Sequence, residues 1–283
     1  MLGPASCTQI SPRPGASGLT EFPDFGALAI SLDFELHWGV RDHQVIDGPY
    51  RPNLLGVWNA VPRMLDLFER HGVSATWATV GLLFAEDREQ QEAFAPTVRP
   101  TYDDARLDAY RQVVGVDEKE DPLHFAPSLI AQIRERPGQE IATHTFSHYY
   151  CLEPGQTAEQ FAADIAAAVA IARAKGIRLR SIALPRNQVA PAYGAILRAA
   201  GIDCFRGCRP GWMPRPGPGS ATTPWQRGAR LLHEYVGPGR VHLTGWAEVA
   251  RTSGLYEVPA SLFVRGFSAG SSPHRTIQAE PHA

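Results

Sequence analysis

The sequence has no run of about 18 apolar residues, the length a membrane-spanning helix needs, so no segment reads as a span. The first 25 residues are rich in proline, serine and glycine. They lack an apolar core flanked by basic residues, so they read as a disordered leader rather than a signal peptide, and the cytoplasm is the expected compartment. Cysteine is scarce: Cys7, Cys151, Cys204 and Cys208 are scattered and form no disulfide framework, which a chain of this size does not need. The C-x3-C spacing of Cys204 and Cys208 reads as two small buried residues. Basic charge is not in excess, with 27 Lys and Arg against 29 Asp and Glu and a formal net charge of −2. No basic surface therefore argues for nucleic acid. No internal repeat is present.

What is there is ordinary for a soluble globular protein: 44% hydrophobic and 20% charged residues over 283 positions. Residues 27–32 form a short apolar run that reads as a buried strand. The spacing of Leu54, Val57, Val61, Leu65 and Phe68 predicts a helix over 53–70, with a kink or break at Pro62 and a stop at Gly72. Residues 73–80 are β-branched and aromatic and read as the next strand, which completes a strand–helix–strand unit. Residues 84–127 are polar and irregular and read as an insertion, a solvated loop with helical turns. A strand over 140–143 follows. Thr157 and Gln160 form a capping-box pattern ahead of an alanine-rich helix that ends at Gly176. A strand over 180–184, a helix over 191–200, a strand over 202–205, a loop over 209–228 and a strand over 255–264 complete the pattern. Alternation of this kind points to an α/β barrel or a doubly wound sheet.

Three polar groups sit at the ends of these strands: Asp33-Phe34-Glu35, His144-Thr145-Phe146-Ser147-His148 and Pro185-Arg186-Asn187-Gln188. In parallel α/β folds those ends converge on one face, where ligands bind. Each group alone has a bland reading: acids at an exposed edge, histidines on a helix surface, an arginine at a strand end. Together they make a site. At helical spacing His144 and His148 share one face and can hold one cation. Two acids beside a metal can divide labour, one ligating and the other taking a proton from water. Arg186 can pair bidentately with Asp33 and keep it ionised. Asn187 and Gln188 can bond substrate amide or hydroxyl groups, and Trp38 is a third candidate substrate contact. For His37 a local structural role is expected.

The order and placement of these motifs resemble the polysaccharide deacetylase (NodB-like) superfamily, in a branch with D-F-E where D-D is usual. Leu67 to Gly72, Ala75-Thr76-Trp77-Ala78 and Tyr256 to Ser261 add to the likeness, which spans about residues 27–267. The resemblance implies a distorted (β/α) barrel over 26–267, with the insertion at 84–127 and a disordered tail over 268–283. It implies a hydrolase acting on non-peptide C–N bonds that removes acetyl from an N-acetylated sugar or polysaccharide precursor. Asp33 would be the general base, water activated by the metal the nucleophile, and Arg186 the residue that tunes Asp33. Glu35, His144 and His148 would hold a divalent metal, zinc first, with cobalt, nickel or iron as alternatives.

Relatives carry a histidine after a late strand as proton donor to the leaving amine. Here the sequence after Phe267 holds no strand and helix to carry it. His274 and His282 lie in a polar tail, and His242 precedes the last strand. The expectation is a barrel that lacks its last C-terminal element, with activity impaired. Two alternatives stand beside the deacetylase: a metal-independent amidohydrolase of a small cyclic amide, and a glycan-binding paralogue that has lost the acid. The sequence does not address oligomeric state.

Overall fold

The computed structural model describes residues 25–208, 244–246, 249, 251, 252 and 254–260. The leader up to residue 24, the loop expected over 209–228, His242, the last four residues of the strand expected over 255–264, and the tail with His274 and His282 lie outside the described residues. The elements in chain order are β1 (Ser31–Phe34), α1 (Arg51–His71), β2 (Ala75–Thr79), α2 (Arg88–Phe94), α3 (Pro127–Glu135), β3 (Gln139–Thr143), α4 (Ala158–Ala174), β4 (Ser181–Ala183), α5 (Gly194–Ala199), β5 (Cys204–Cys208), β6 (Arg251–Thr252) and β7 (Leu255–Ala260). They build one sheet in the order β1-β2-β3-β4-β5-β7-β6. Every neighbouring pair is parallel except β6–β7. Among the described residues no helix is long and apolar enough to cross a membrane.

The sheet is strongly curled. In a flat sheet β1 and β5 would lie about 19 Å apart, four inter-strand spacings. Yet Arg206 on β5 donates to Ser31 Oγ at 3.1 Å and to Asp33 Oδ1 at 2.6 Å on β1. That span is far beyond an arginine in a flat sheet. The six parallel strands therefore form a half-barrel, which is the expected distorted (β/α) architecture. Its strand ends at Phe34, Thr79, Thr143, Ala183 and Cys208 open on one rim.

The helices form for local reasons. Helix α1 buries the stripe Leu54, Val61 and Leu65 and is closed by Gly72 in the left-handed conformation (φ 62°). It runs uninterrupted through Pro62 rather than breaking there. The buried stripe on both sides of the proline holds the helix against the loss of one backbone hydrogen bond. Helix α4 carries the expected capping box: Thr157 Oγ1 accepts from Gln160 N, and Gln160 Oε1 accepts from Thr157 N. Its inner face, Phe161, Ile165, Ala168, Ile171 and Ala172, joins Trp77, Ile141 and Ile182 in one core.

Two expectations are corrected. The first strand begins at Ser31, not at 27, and it is an edge rather than a buried strand. No strand pairs with its outer side among the described residues, and Leu28 ahead of it is 85% exposed. The segment 84–127 is not merely a solvated loop. It carries α2, short 3-10 turns and the buried side chains Leu107, Ala109, Leu123 and Phe125.

That segment is tied to the turn after β1 by a buried chain of polar contacts. Asp121 Oδ2 lies 2.7 Å from His124 Nδ1, His124 Nε2 lies 3.0 Å from His37 Nδ1, and His37 Nε2 lies 3.2 Å from Gln44 O. His37 thus has the structural role its position led us to expect. Trp38 Nε1 and Gln91 Nε2 both donate to His124 O. Replacing His124 by alanine strands the buried ring of His37 and removes the anchor of Asp121. The expected loss is about 2–3 kcal/mol, measured as a shift in urea midpoint at unchanged slope.

Candidate metal centre and its neighbouring carboxylate

Glu35 is the first residue past β1, and its carboxylate folds back over Gly39. A Cβ at position 39 would lie 2.0 Å from Glu35 Cδ, so the glycine is what admits the side chain there. His144 follows β3, and its Nδ1 lies 2.7 Å from Ala183 O at the end of β4. A carbonyl only accepts, so this nitrogen carries a proton and Nε2 is turned to the site. Glu35 Oε2 is 3.2 Å from His144 Nε2 and 3.0 Å from His148 Nε2. The three groups each offer a ligand atom within 4.8 Å of the others.

His144 and His148 do not meet through helical spacing. Residues 144–148 are a bend, not a helix, with Thr145 at φ 66° and His148 at φ 55°. Two left-handed residues reverse the chain so that both rings face Glu35, with centroids 5.0 Å apart. Such residues cost on the order of 1 kcal/mol or more each. Asp164 on α4 offsets the strain: its buried carboxylate accepts from Phe146 N at 2.7 Å, Ser147 N at 3.1 Å and the Ser147 hydroxyl. Thr145 Oγ1 accepts from Tyr149 N at 2.6 Å. Gly81 completes the cradle, since a Cβ there would lie 2.7 Å from the Phe146 ring.

The left-handed backbone of the described residues, glycines aside, falls in the three motif turns. Among the described residues, the non-glycine residues with positive φ are Leu36, Thr145, His148, Arg186 and Asn187. Backbone strain of this kind collects where function needs a side chain aimed against the chain's preference.

Asp33 stands within β1, two residues before Glu35, and is 30% exposed. Its clamp is Arg206, not Arg186. Arg206 Nη1 donates to Asp33 Oδ1 at 2.6 Å and Nη2 to Oδ2 at 2.9 Å, a bidentate pair. The expected pairing of Arg186 with Asp33 is therefore corrected. The left-handed turn at Arg186 (φ 56°) and Asn187 (φ 51°) sends Arg186 the other way. Its guanidinium pairs with Asp42 and, at 3.3 Å, with Glu153, and lies 4.3 Å from the Tyr150 ring centroid. The same turn presents Asn187, whose Oδ1 accepts from Arg206 Nε at 3.0 Å. The third motif thus reaches Asp33 through its asparagine and an arginine borrowed from β5.

Two further expectations are corrected. Trp38 is 2% exposed and Gln188 1% exposed, so neither side chain is open to a substrate. Trp38 packs edge-on against His124. Gln188 donates to Glu153 Oε1 at 2.7 Å and accepts from Leu152 N at 3.1 Å.

Charge at the cluster follows burial and pairing. Burial acts to raise Glu35, but hydrogen bonds from His144 and His148 outweigh it and hold the carboxylate well below its usual range. Burial also acts to lower His144, yet the charges of Asp33 and Glu35 bring it out above an ordinary imidazole. In His148 burial wins and the ring is pushed down to about 4. Burial pushes Asp164 up to about 6 against the hydrogen bonds from Ser147 and Phe146.

The family model for polysaccharide deacetylase matches residues 47–205, more than half of the chain. The chain belongs to the polysaccharide deacetylase family. A search of curated proteins finds no match. Among solved structures, a CE4 family pseudoenzyme from Bacillus anthracis is 13% identical, with 62% of this chain and 42% of that chain covered and a TM-score of 0.34. A family 4 carbohydrate esterase from Streptomyces lividans, in complex with acetate, is 14% identical, with 65% and 63% covered and a TM-score of 0.36. A de-N-acetylase from Aggregatibacter actinomycetemcomitans is 9% identical, with 71% and 73% covered and a TM-score of 0.41. The chain spans less than half the length of the Bacillus protein.

Asp164→Asn retains the shape of the anchor but accepts fewer of the three loop donors. Affinity for zinc or cobalt is expected to fall about 10–100-fold, read by chelator competition, with the secondary structure unchanged by circular dichroism. The folded pKa of Asp164 lies above its ordinary 3.8, so its contribution is full below about pH 4 and is lost as pH rises through about 6. Stability of the wild type relative to the asparagine variant is therefore expected to decline between pH 4 and pH 7 in paired urea unfolding curves.

Proposed function

We propose that the chain hydrolyses the N-acetyl group of an N-acetylated sugar or glycan, with Asp33 as general base and Glu35, His144 and His148 holding a divalent metal. The observation that carries this reading is the approach of three ligand atoms within 4.8 Å of one another, next to a carboxylate clamped by an arginine. Two imidazoles and one carboxylate are the donor set of a catalytic zinc site, which takes three protein ligands and water. Cobalt, nickel and iron accept the same donors. The hydrogen bond from His144 Nδ1 to Ala183 O is the outer-sphere contact such a ligand needs. When bound, the cation supplies Lewis acidity, which polarises the acetyl carbonyl and makes water easier to deprotonate.

The rest of the chemistry belongs to the chain. Two charge-assisted bonds from Arg206 fix the plane of the Asp33 carboxylate, while its exposed side is open to accept a proton from water. Asn187 and Ser31 hold Arg206 in turn. Arg206 is therefore a positioning residue for the base. Arg186, bound to Asp42 and Glu153, braces the rim between the first and third motif turns.

Reconstituted wild type is expected to hold about one zinc per chain, the stoichiometry of a single three-ligand site, and to release acetate from an N-acetylated oligosaccharide. His148→Ala loses the metal. Asp33→Asn retains it and slows about 10²–10⁴-fold, the usual contribution of a general base. Arg206→Met retains it and slows about 10²-fold, the cost of a misplaced catalytic group, whereas Arg186→Met falls less. Elemental analysis and an acetate assay read all four. Acetate release at full rate without metal would transfer the chain to the metal-free amidohydrolases. Metal and sugar binding without acetate release would mark a glycan-binding protein.

A further inference from the structure

A line of polar contacts runs from the third motif turn to the surface of the first. Gln188, 1% exposed, donates to Glu153 Oε1 at 2.7 Å. The same oxygen accepts from Arg186 Nη1 at 3.3 Å, and Arg186 Nη2 donates to Asp42 Oδ2. The other oxygen of Asp42 lies 2.9 Å from His43 Nδ1. The line begins buried and ends at an imidazole that is 54% exposed. Among the described residues His43 Nε2 has no partner. Buried ion networks add little net stability, yet this one fixes a single exposed ring.

Burial acts to raise Asp42, but its hydrogen bond with His43 and the charge of Arg186 outweigh it and hold the carboxylate below its usual range. An ionised carboxylate only accepts, so His43 Nδ1 is the donor and Nε2 is the nitrogen left for other work. A carboxylate that orients an imidazole and supports its cation is the arrangement of acid–base dyads. Two links place this dyad beside the Glu35–His144–His148 cluster. Arg41, two residues before His43, donates to His148 O at 3.4 Å. Arg186 lies 4.3 Å from the Tyr150 ring centroid, and that ring meets His148 edge-on at 5.0 Å.

We propose that His43, oriented by Asp42, is the catalytic acid that protonates the leaving amine, so that the first motif turn supplies both the base and the acid of the reaction. This rests on the reading of the chain as a deacetylase of N-acetylated sugars. Amide hydrolysis needs two proton transfers, and Asp33 accounts for one of them, the proton taken from water. When the C–N bond breaks, its electron pair stays on nitrogen. That pair takes the Nε2 proton of His43, and the ring is left neutral. Asp33 gives its proton to solvent, and the exposed imidazole is recharged from solvent.

The test compares two substrates of the zinc-loaded, full-length protein: an N-acetylated oligosaccharide, whose amine must be protonated to leave, and 4-nitrophenyl acetate, whose phenolate leaves without a proton. His43→Gln is expected to slow acetate release from the oligosaccharide about 10²–10⁴-fold, the usual contribution of a general acid. Its effect on the aryl ester is expected to be smaller by about tenfold or more, whereas Asp33→Asn slows both. Added imidazole is expected to restore part of the oligosaccharide activity of His43→Gly and to do nothing for Asp33→Asn. The side chain is exposed, so both variants are expected to retain the wild-type circular dichroism. Unchanged oligosaccharide turnover in His43→Gln, or equal slowing of both substrates, overturns the proposal and leaves the deacetylase reading standing. Wild type that cleaves the aryl ester and releases no acetate from any N-acetylated sugar overturns the deacetylase reading, and the proposal with it.

Discussion

The bidentate pair between Arg206 and Asp33 is where curvature and chemistry meet. It joins strands that are four positions apart in the sheet, so it can form only because the sheet is curled into a half-barrel. The pair lies partly shielded from water, where a charge-assisted fork is worth more than at an open surface. It holds Asp33, a carboxylate close to the Glu35–His144–His148 cluster that is not itself drawn into it. Curvature thus separates two acids only two residues apart: Glu35 turns to the imidazoles and Asp33 to the arginine.

Around that pair, the strand ends deliver short turns that the chain would not adopt by preference. Leu36, Thr145, His148, Arg186 and Asn187 occupy left-handed backbone. Asp164 holds the bend between the histidines from a neighbouring helix. Gly39 and Gly81 give way where Glu35 and Phe146 press close. The rim is crossed by cations placed for different ends: Arg206 on Asp33, Arg186 between two carboxylates and Arg41 on a histidine ring.

Much of this was legible in the sequence. Apolar runs ahead of Asp33, His144 and Arg186 placed three motifs at strand ends, and a parallel fold brings such ends together. The capping box at Thr157 and Gln160 read through to the structure because both halves are local. What failed was side-chain direction. Arg186 and Arg206 are equally plausible partners of Asp33 by position, each at the end of an expected strand. Only the left-handed turn at Arg186 and Asn187 decides between them, and neither residue type announces it. Trp38 and Gln188 read as substrate contacts because a solvated loop over 84–127 would leave Trp38 uncovered and the position of Gln188 beside Arg186 says nothing of its burial. Helix α3 gives little sequence signal although Pro127 marks its start, since its nine residues follow directly on that irregular stretch. The pair at 144 and 148 converged as expected, but through a strained bend rather than one face of a helix.

Zinc K-edge X-ray absorption of the loaded protein tests the central claim most directly. Two imidazole nitrogens and carboxylate oxygen at about 2.0–2.2 Å, with one imidazole lost in His148→Ala, is the result expected of a Glu35–His144–His148 centre. Sulfur scattering at about 2.3 Å, or an imidazole count unchanged by that substitution, would place the metal elsewhere and contradict the account.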